Sequence, residues 1–172
     1  MAQNLPAYQD ALDLLNEDHR EIREMFREFG ELDAGAEKRA LLKRVNAALS
    51  VHTEIERELF YPALRQLLSE TEIVDEAEVE HELAETLLAE LIDMDVHDAL
   101  FDSRLEVLIE SVTHHFAEEE SQMFAQVRLD KPDLESVAQE MRERKEDLEA
   151  EFEPEEDEED DLDDDELSFG DE

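Results

Sequence analysis

The chain has 172 residues, with 54 Asp and Glu against 15 Lys and Arg, and a formal net charge of -39 at pH 7. So acidic a balance argues against a nucleic-acid partner, because strands are held by neutralising their phosphates with Lys and Arg. The absence of cysteine excludes disulfides, thiolate metal sites, iron–sulfur clusters and thiol nucleophiles. No basic and apolar leader opens the sequence, and no run of about 18 apolar residues could span a bilayer, so a cytoplasmic chain without membrane attachment is expected.

With 3 Gly and 4 Pro, and with Leu, Glu, Ala and Arg abundant, the sequence predicts long helices joined by short turns. The first, Pro6 to Phe29, sets Leu12, Leu15, His19, Ile22, Phe26 and Phe29 three and four residues apart, the repeat of a helix burying one stripe. The second, Ala36 to Leu68, repeats this with Leu41, Val45, Ala48, His52, Ile55, Glu56 and Leu59. Pro62 lies inside it and lacks an amide donor, so a kink or an end is expected near Tyr61. The third, Ile73 to Met94, presents Val74, Ala77, His81, Ala84, Leu88 and Leu91. The fourth, Ala99 to Arg128, presents Phe101, Leu105, Leu108, Val112, His115, Glu119 and Met123. Short connections favour an all-α, antiparallel up-down-up-down four-helix bundle over residues 1–130. A fifth amphipathic helix, 131–152, begins at Pro132 and carries Leu134, Val137, Met141 and Leu148, and is expected to lie on the bundle. Residues 153–172 form an acidic tail with too little apolar surface to order, whose expected roles are solubility or docking to a partner or a compartment shell through Leu162, Leu167 and Phe169.

Each of the four main helices thus has one inward histidine. A lone histidine on an apolar stripe is ordinarily a neutral, hydrogen-bonded core residue; four at comparable heights in one bundle point to a shared site. Glu56 and Glu119 each follow a histidine by four residues, which turns both side chains of a pair the same way. Ionised carboxylates in a bundle core are costly unless a cation compensates them. His19, His52, His81 and His115, with Glu56 and Glu119 and with Glu85 one turn after His81, give six or seven donors, too many for one tetrahedral zinc. Imidazole and carboxylate without thiolate suit iron, manganese or zinc, and the count suits two ions bridged by Glu56 and Glu119. His97 is expected to be solvated or beside a helix cap, and His114 to point about 100° away from His115. Of the Glu118, Glu119 and Glu120 run, only Glu119 is expected inward; Tyr8 and Tyr61 could donate a hydrogen bond or an electron near the centre, with packing at the edge of the core the expected use of both.

His52-x-x-x-Glu56 followed by Leu59-Phe60-Tyr61-Pro62, and His115-x-x-x-Glu119 followed by Met123-Phe124-Ala125, resemble the two histidine–glutamate motifs of the hemerythrin-like, or HHE, cation-binding domains. Leu15-Asn16-Glu17-Asp18-His19-x-x-Ile22 resembles the opening motif of that family and Glu80-His81-Glu82 its third. The resemblance spans about residues 10 to 128. It implies a non-haem, oxo- or hydroxo-bridged centre of two iron ions, with ligand roles for His19, His52, Glu56, His81, His115 and Glu119. Oxygen-carrying members place a second histidine where this chain has Glu85, and the second motif ends in Ala125 instead of proline. Ferritin-like bundles need two Glu-x-x-His repeats, and only Glu78-Val-Glu-His81 fits that pattern.

The expected function is that of a cytoplasmic di-iron protein binding dioxygen, nitric oxide or peroxide, for gas handling or sensing. The alternatives are a di-iron oxidase or ferroxidase, a nitric oxide or peroxide reductase, and iron storage or delivery, including as cargo of a protein compartment. The excess of Arg over Lys, 11 to 4, together with acids spread over the body, also resembles proteins of a high-salt cytoplasm.

Overall fold

A computed structural model describes residues 10–32, 35–68, 71–130 and 134–152. Tyr8, Pro132 and the acidic tail 153–172 lie outside the described residues. These fold into α1 (Ala11–Phe29), α2 (Gly35–Ile55), a π-helical turn (Glu56–Phe60), α3 (Tyr61–Leu67), α4 (Glu72–Asp93), α5 (Phe101–Glu118), a second π-helical turn (Glu119–Met123), α6 (Phe124–Asp130) and α7 (Glu135–Glu151). The fold is all-helical, with no strand among the described residues, and none of the described helices is long and apolar enough to cross a membrane.

The helix ends follow from local chemistry. Asp10 caps α1, its carboxylate accepting the Asp13 amide at 3.0 Å. Gly35 opens α2 where a Cβ would come within 2.8 Å of Val96 Cγ2 and 3.0 Å of His97 Cε1, so a side chain there would push the α4–α5 connection away. Arg39 of α2 donates to the carbonyls of Leu91, Ile92 and Met94 at the end of α4, where the Met94 amide also closes back on Leu91.

The helix interruption expected at Pro62 takes a different form. The Tyr61 amide reaches back to the Glu56 carbonyl, an i to i+5 bond, and the chain passes into α3 with Pro62 in its first turn, where a missing amide proton costs nothing. The second π turn closes in the same way, Phe124 to Glu119, with no proline nearby. What the two share is their first residue, the glutamate four positions after a buried histidine. The extra residue moves the inner face along by one, so Leu59 is only half-buried and Phe60 takes the core position.

α1 packs on α2 and α4 on α5, α2 also meets α4, and α7 lies against α1 and α2. The apolar core falls into two clusters. One gathers Leu12 and Leu15 of α1, Ile55 of α2, Val74 and Ala77 of α4, and Phe60, Tyr61, Met123 and Phe124, with Leu134, Met141 and Leu148 at and along α7. The other gathers Ile22 and Phe26, Leu41 to Leu49, Ala84 to Leu91 and Phe101 to Phe116. Each fully buried Leu or Phe contributes about 1.5–3 kcal/mol. Along α1 and α4 the chain runs from the first cluster to the second, and along α2, and from α5 through the second π turn into α6, from the second to the first. Between the clusters, α1, α2, α4 and α5 each contribute a histidine.

Candidate metal centre

His19, His52, His81 and His115 are buried, at 0, 1, 3 and 4 % exposure, and with them Glu56 at 0 % and Glu119 at 2 %. Apolar residues three and four positions away on the same helix stripes hold each of them at the centre. Their ε nitrogens face one another and the two carboxylates. His19 Nε2 lies 3.3 Å from Glu119 Oε2, and His52 Nε2 3.3 Å from Glu56 Oε2. His81 Nε2 is 3.2 Å from Glu56 Oε2, and His115 Nε2 is 3.5 Å from Glu119 Oε2 and 2.9 Å from His81 Nε2. The donors fall into two groups able to hold a cation, His19, His52, Glu56 and Glu119 in one and Glu56, His81 and His115 in the other, with Glu56 common to both.

Two of the outward nitrogens are hydrogen-bonded to other carboxylates, and a third faces one beyond hydrogen-bond distance. His19 Nδ1 donates to Glu120 Oε1 at 2.8 Å, and Arg23 donates to the same oxygen at 2.7 Å. His115 Nδ1 donates to Glu80 Oε2 at 2.8 Å, and His52 Nδ1 faces Asp18 Oδ2 at 3.6 Å. Such partners fix ring orientation and tautomer, leaving the inner nitrogen free to ligate. His81 Nδ1 has no hydrogen-bond partner. Phe116 stacks on His19 at 3.9 Å between ring centres, and Phe124 lies parallel to the same ring at 5.8 Å, which keeps the centre dry.

The electrostatics of the cluster are those of donors facing inward without compensation. Burial pushes Glu56 up and the charge of Glu119 adds to it, holding its carboxyl at about 7. Burial would push Glu119 up too, but its contact with His19 and the charge of the surrounding imidazoles bring it down to about 2. His19 is raised to about 9, since Glu119 and Glu120 outweigh its desolvation, whereas burial holds His81 below its ordinary value. Glu120 is lowered to about 2, chiefly by His19 and despite partial burial. His19 Nε2, His52 Nε2, Glu56 Oε1 and Glu119 Oε2 are all buried without a hydrogen-bond partner. Buried polar atoms are seldom left so. Four such atoms converging from four elements, all imidazole nitrogen or carboxylate oxygen, fit a cation of the iron, manganese or zinc kind.

The structure does not bring Glu85 to this cluster. Its carboxylate turns outward to Arg57, at 2.5 Å, and is largely solvated. His114 is exposed and pairs loosely with Glu118 at 3.5 Å, and His97 is exposed in the α4–α5 connection. Glu120 and Tyr61 depart from expectation. Glu120 is not simply solvated, since it backs His19. The Tyr61 hydroxyl, instead of packing at the core edge, donates to Glu119 Oε1 at 2.9 Å and lies 3.2 Å from Glu56 Oε2 and 3.3 Å from His81 Nε2. Burial and the two carboxylate charges hold that phenol well above its usual range. The signal for Tyr61 was its spacing of five from Glu56, which shares a face only in a π-helical turn.

A helical bundle whose core is interrupted by facing histidines and carboxylates belongs to the class of metal-binding bundles. More closely, a sequence model of the hemerythrin HHE cation-binding domain matches residues 10–127, and the chain belongs to that family. Its fold is similar to the crystal structure of a hemerythrin HHE cation-binding domain-containing protein from Mycobacterium kansasii, a homologue of Rv2633c, with a TM-score of 0.71 and 24 % identity, covering 84 % of this chain and 90 % of that one. No curated protein matches the chain.

Proposed function

We propose that the cluster holds two iron ions and that the protein binds dioxygen, nitric oxide or peroxide there, handling or sensing it. His19, His52, Glu56 and Glu119 would hold one ion and His81, His115 and Glu56 the other, with Tyr61 an oxygen donor within reach of the second group. Iron in this setting supplies reversible electron exchange with a small oxidant. The chain's own part is to orient the imidazoles through Glu120, Asp18 and Glu80, to hold the Tyr61 proton between the two glutamates, and to exclude water with Phe116 and Phe124. The alternation of core clusters along α1, α2, α4 and α5 with its continuation into α6 supports the antiparallel up-down-up-down order of a four-helix bundle.

The observation that carries the choice of a diatomic or similar ligand is the room available. The cavities touching the cluster are about 10 Å³, beside His52, His81 and His115, and about 20 Å³, beside His115 and Glu119. A single water needs about 10–15 Å³ on this measure, so the space beside the donors is on the scale of a very small ligand. A separate cleft, about 290 Å³ between α1, α2 and α7, touches Asp18 but none of the donors.

The deciding experiment is metal content per chain together with the visible spectrum of iron-loaded protein, reduced without air and then exposed to it. Two irons per chain and an absorption band that appears and fades reversibly support the reading. Turnover with a reductant would assign an enzyme, iron well beyond two per chain a store, and absence of iron would overturn it.

A further inference from the structure

α7 lies beyond the residues that the family model matches, yet its polar contacts run to the supports of the metal centre. Lys145 pairs through Nζ with Asp18 Oδ1. Asp18 is a carboxylate 5 % exposed, whose other oxygen faces His52 Nδ1. The adjacent Arg144 donates from Nε and Nη2 to the two oxygens of Glu58, at 2.7 and 3.0 Å. Glu58 stands in the π turn that begins with Glu56. Two consecutive residues of one helix therefore reach the back of His52, which belongs to the first donor group alone, and the turn carrying Glu56, which both groups share. His115, which belongs to the second group alone, is supported from α4, by Glu80.

We infer that Lys145 is a positioning residue for the first metal position and that, with Arg144, it makes α7 a clamp whose docking and metal occupancy strengthen each other. A carboxylate buried like Asp18 is tolerable when a cation compensates it, and Lys145 brings that cation from outside the family-matched bundle. Asp18, so held, sets a negative charge 3.6 Å behind His52 Nδ1, which favours the ring orientation that turns Nε2 inward. The apolar side of α7 at Met141 and Leu148 fixes the height at which Lys145 arrives. Reciprocity then requires that if a docked α7 favours the metal, the metal favours a docked α7 by the same factor.

This inference rests on the metal reading above, and one experiment separates the two. The full chain, stripped with chelator, is titrated anaerobically with ferrous iron, and amide hydrogen exchange over residues 135–151 is followed with and without iron. In the wild-type chain, iron should slow exchange in α7. Lys145→Met should weaken one of two equivalents about 10- to 100-fold and leave the other as it was, the range typical of outer supports of metal ligands, while Lys145→Arg should restore most of the loss. If α7 exchange in the wild type ignores iron, or if Lys145→Met binds both equivalents as the wild type does, the clamp is overturned and the metal centre stands. Both equivalents weakened alike would also overturn it, since that is the mark of general destabilisation. A wild-type chain that takes up no iron overturns the metal reading and the clamp with it.

Discussion

Three of the four inward histidines have their outer ring nitrogen turned to a carboxylate, Glu120, Asp18 or Glu80, while the inner nitrogen faces the centre. That division makes the consequence of losing a donor specific. His52→Ala or Glu119→Ala should lose metal and lower the melting temperature of loaded protein, whereas His97→Ala, at an exposed position, should do neither; equal metal content in all three variants would sink the assignment. The metal-free chain should also show a definite pH response. His19 is held at about 9 when folded, against 6.5, so its contribution to stability is complete below pH 6.5 and is lost as the pH rises through 9. Glu56, at about 7 against 4.5, acts in the same sense at lower pH; Glu119, at about 2, contributes above 4.5 and loses its contribution only as the pH falls through 2. The melting temperature of stripped protein should therefore fall between pH 6.5 and 9, and the gap to the loaded protein should widen; a gap constant with pH would mean that His19 is not protonated in the metal-free fold. The inward turn of His19, His52, His81 and His115 was legible because periodicity of three and four fixes a helix face. Asp18, Glu80 and Lys145 were not, because their partners are on other helices and no spacing within one helix announces them.

At the scale of the helix, most stripes could be counted from sequence: those of α1, α4 and α5 fall on the expected residues. The π turns could not. A strict repeat of 3.6 puts Leu59 in the core, and the chain instead buries Phe60 and brings Tyr61 over Glu56. Propensity gives no sign of an i to i+5 bond, since the same residues would make an ordinary helix. A π turn holds one residue more than an α-helix of the same rise requires. Deleting Leu59 should thus let the helix run on as α with its downstream face in place, and the variant should keep its helical circular dichroism and its fold. Deleting Ala47, within α2, has no such slack and should turn His52 about 100° off the core, with loss of metal and a lower melting temperature. If both deletions unfolded the chain alike, the π turn would not be the tolerant point.

For the molecule as a whole, charge and core layering set the behaviour. A net charge of -39 opposes compaction through self-repulsion, which salt screens over about 10 Å at 0.1 M. Melting temperature should rise with sodium chloride at constant pH, and a chain cut after residue 152 should rise less steeply while keeping its metal, because the removed residues hold no motif donor. Loss of metal on truncation would show otherwise. The division of the core into two apolar clusters with a histidine and carboxylate layer between them has a consequence for calorimetry. Without a cation, that layer joins the halves only through its own ion pairs and the helix backbones, so the halves are less tightly coupled in melting. With one, ligands from α1, α2, α4 and α5 are tied together and the halves must melt at once. Loaded protein should give one transition whose calorimetric and van't Hoff enthalpies agree, and stripped protein a broader one in which they diverge. The cation then acts as the source of cooperativity, turning two small cores into a single melting unit.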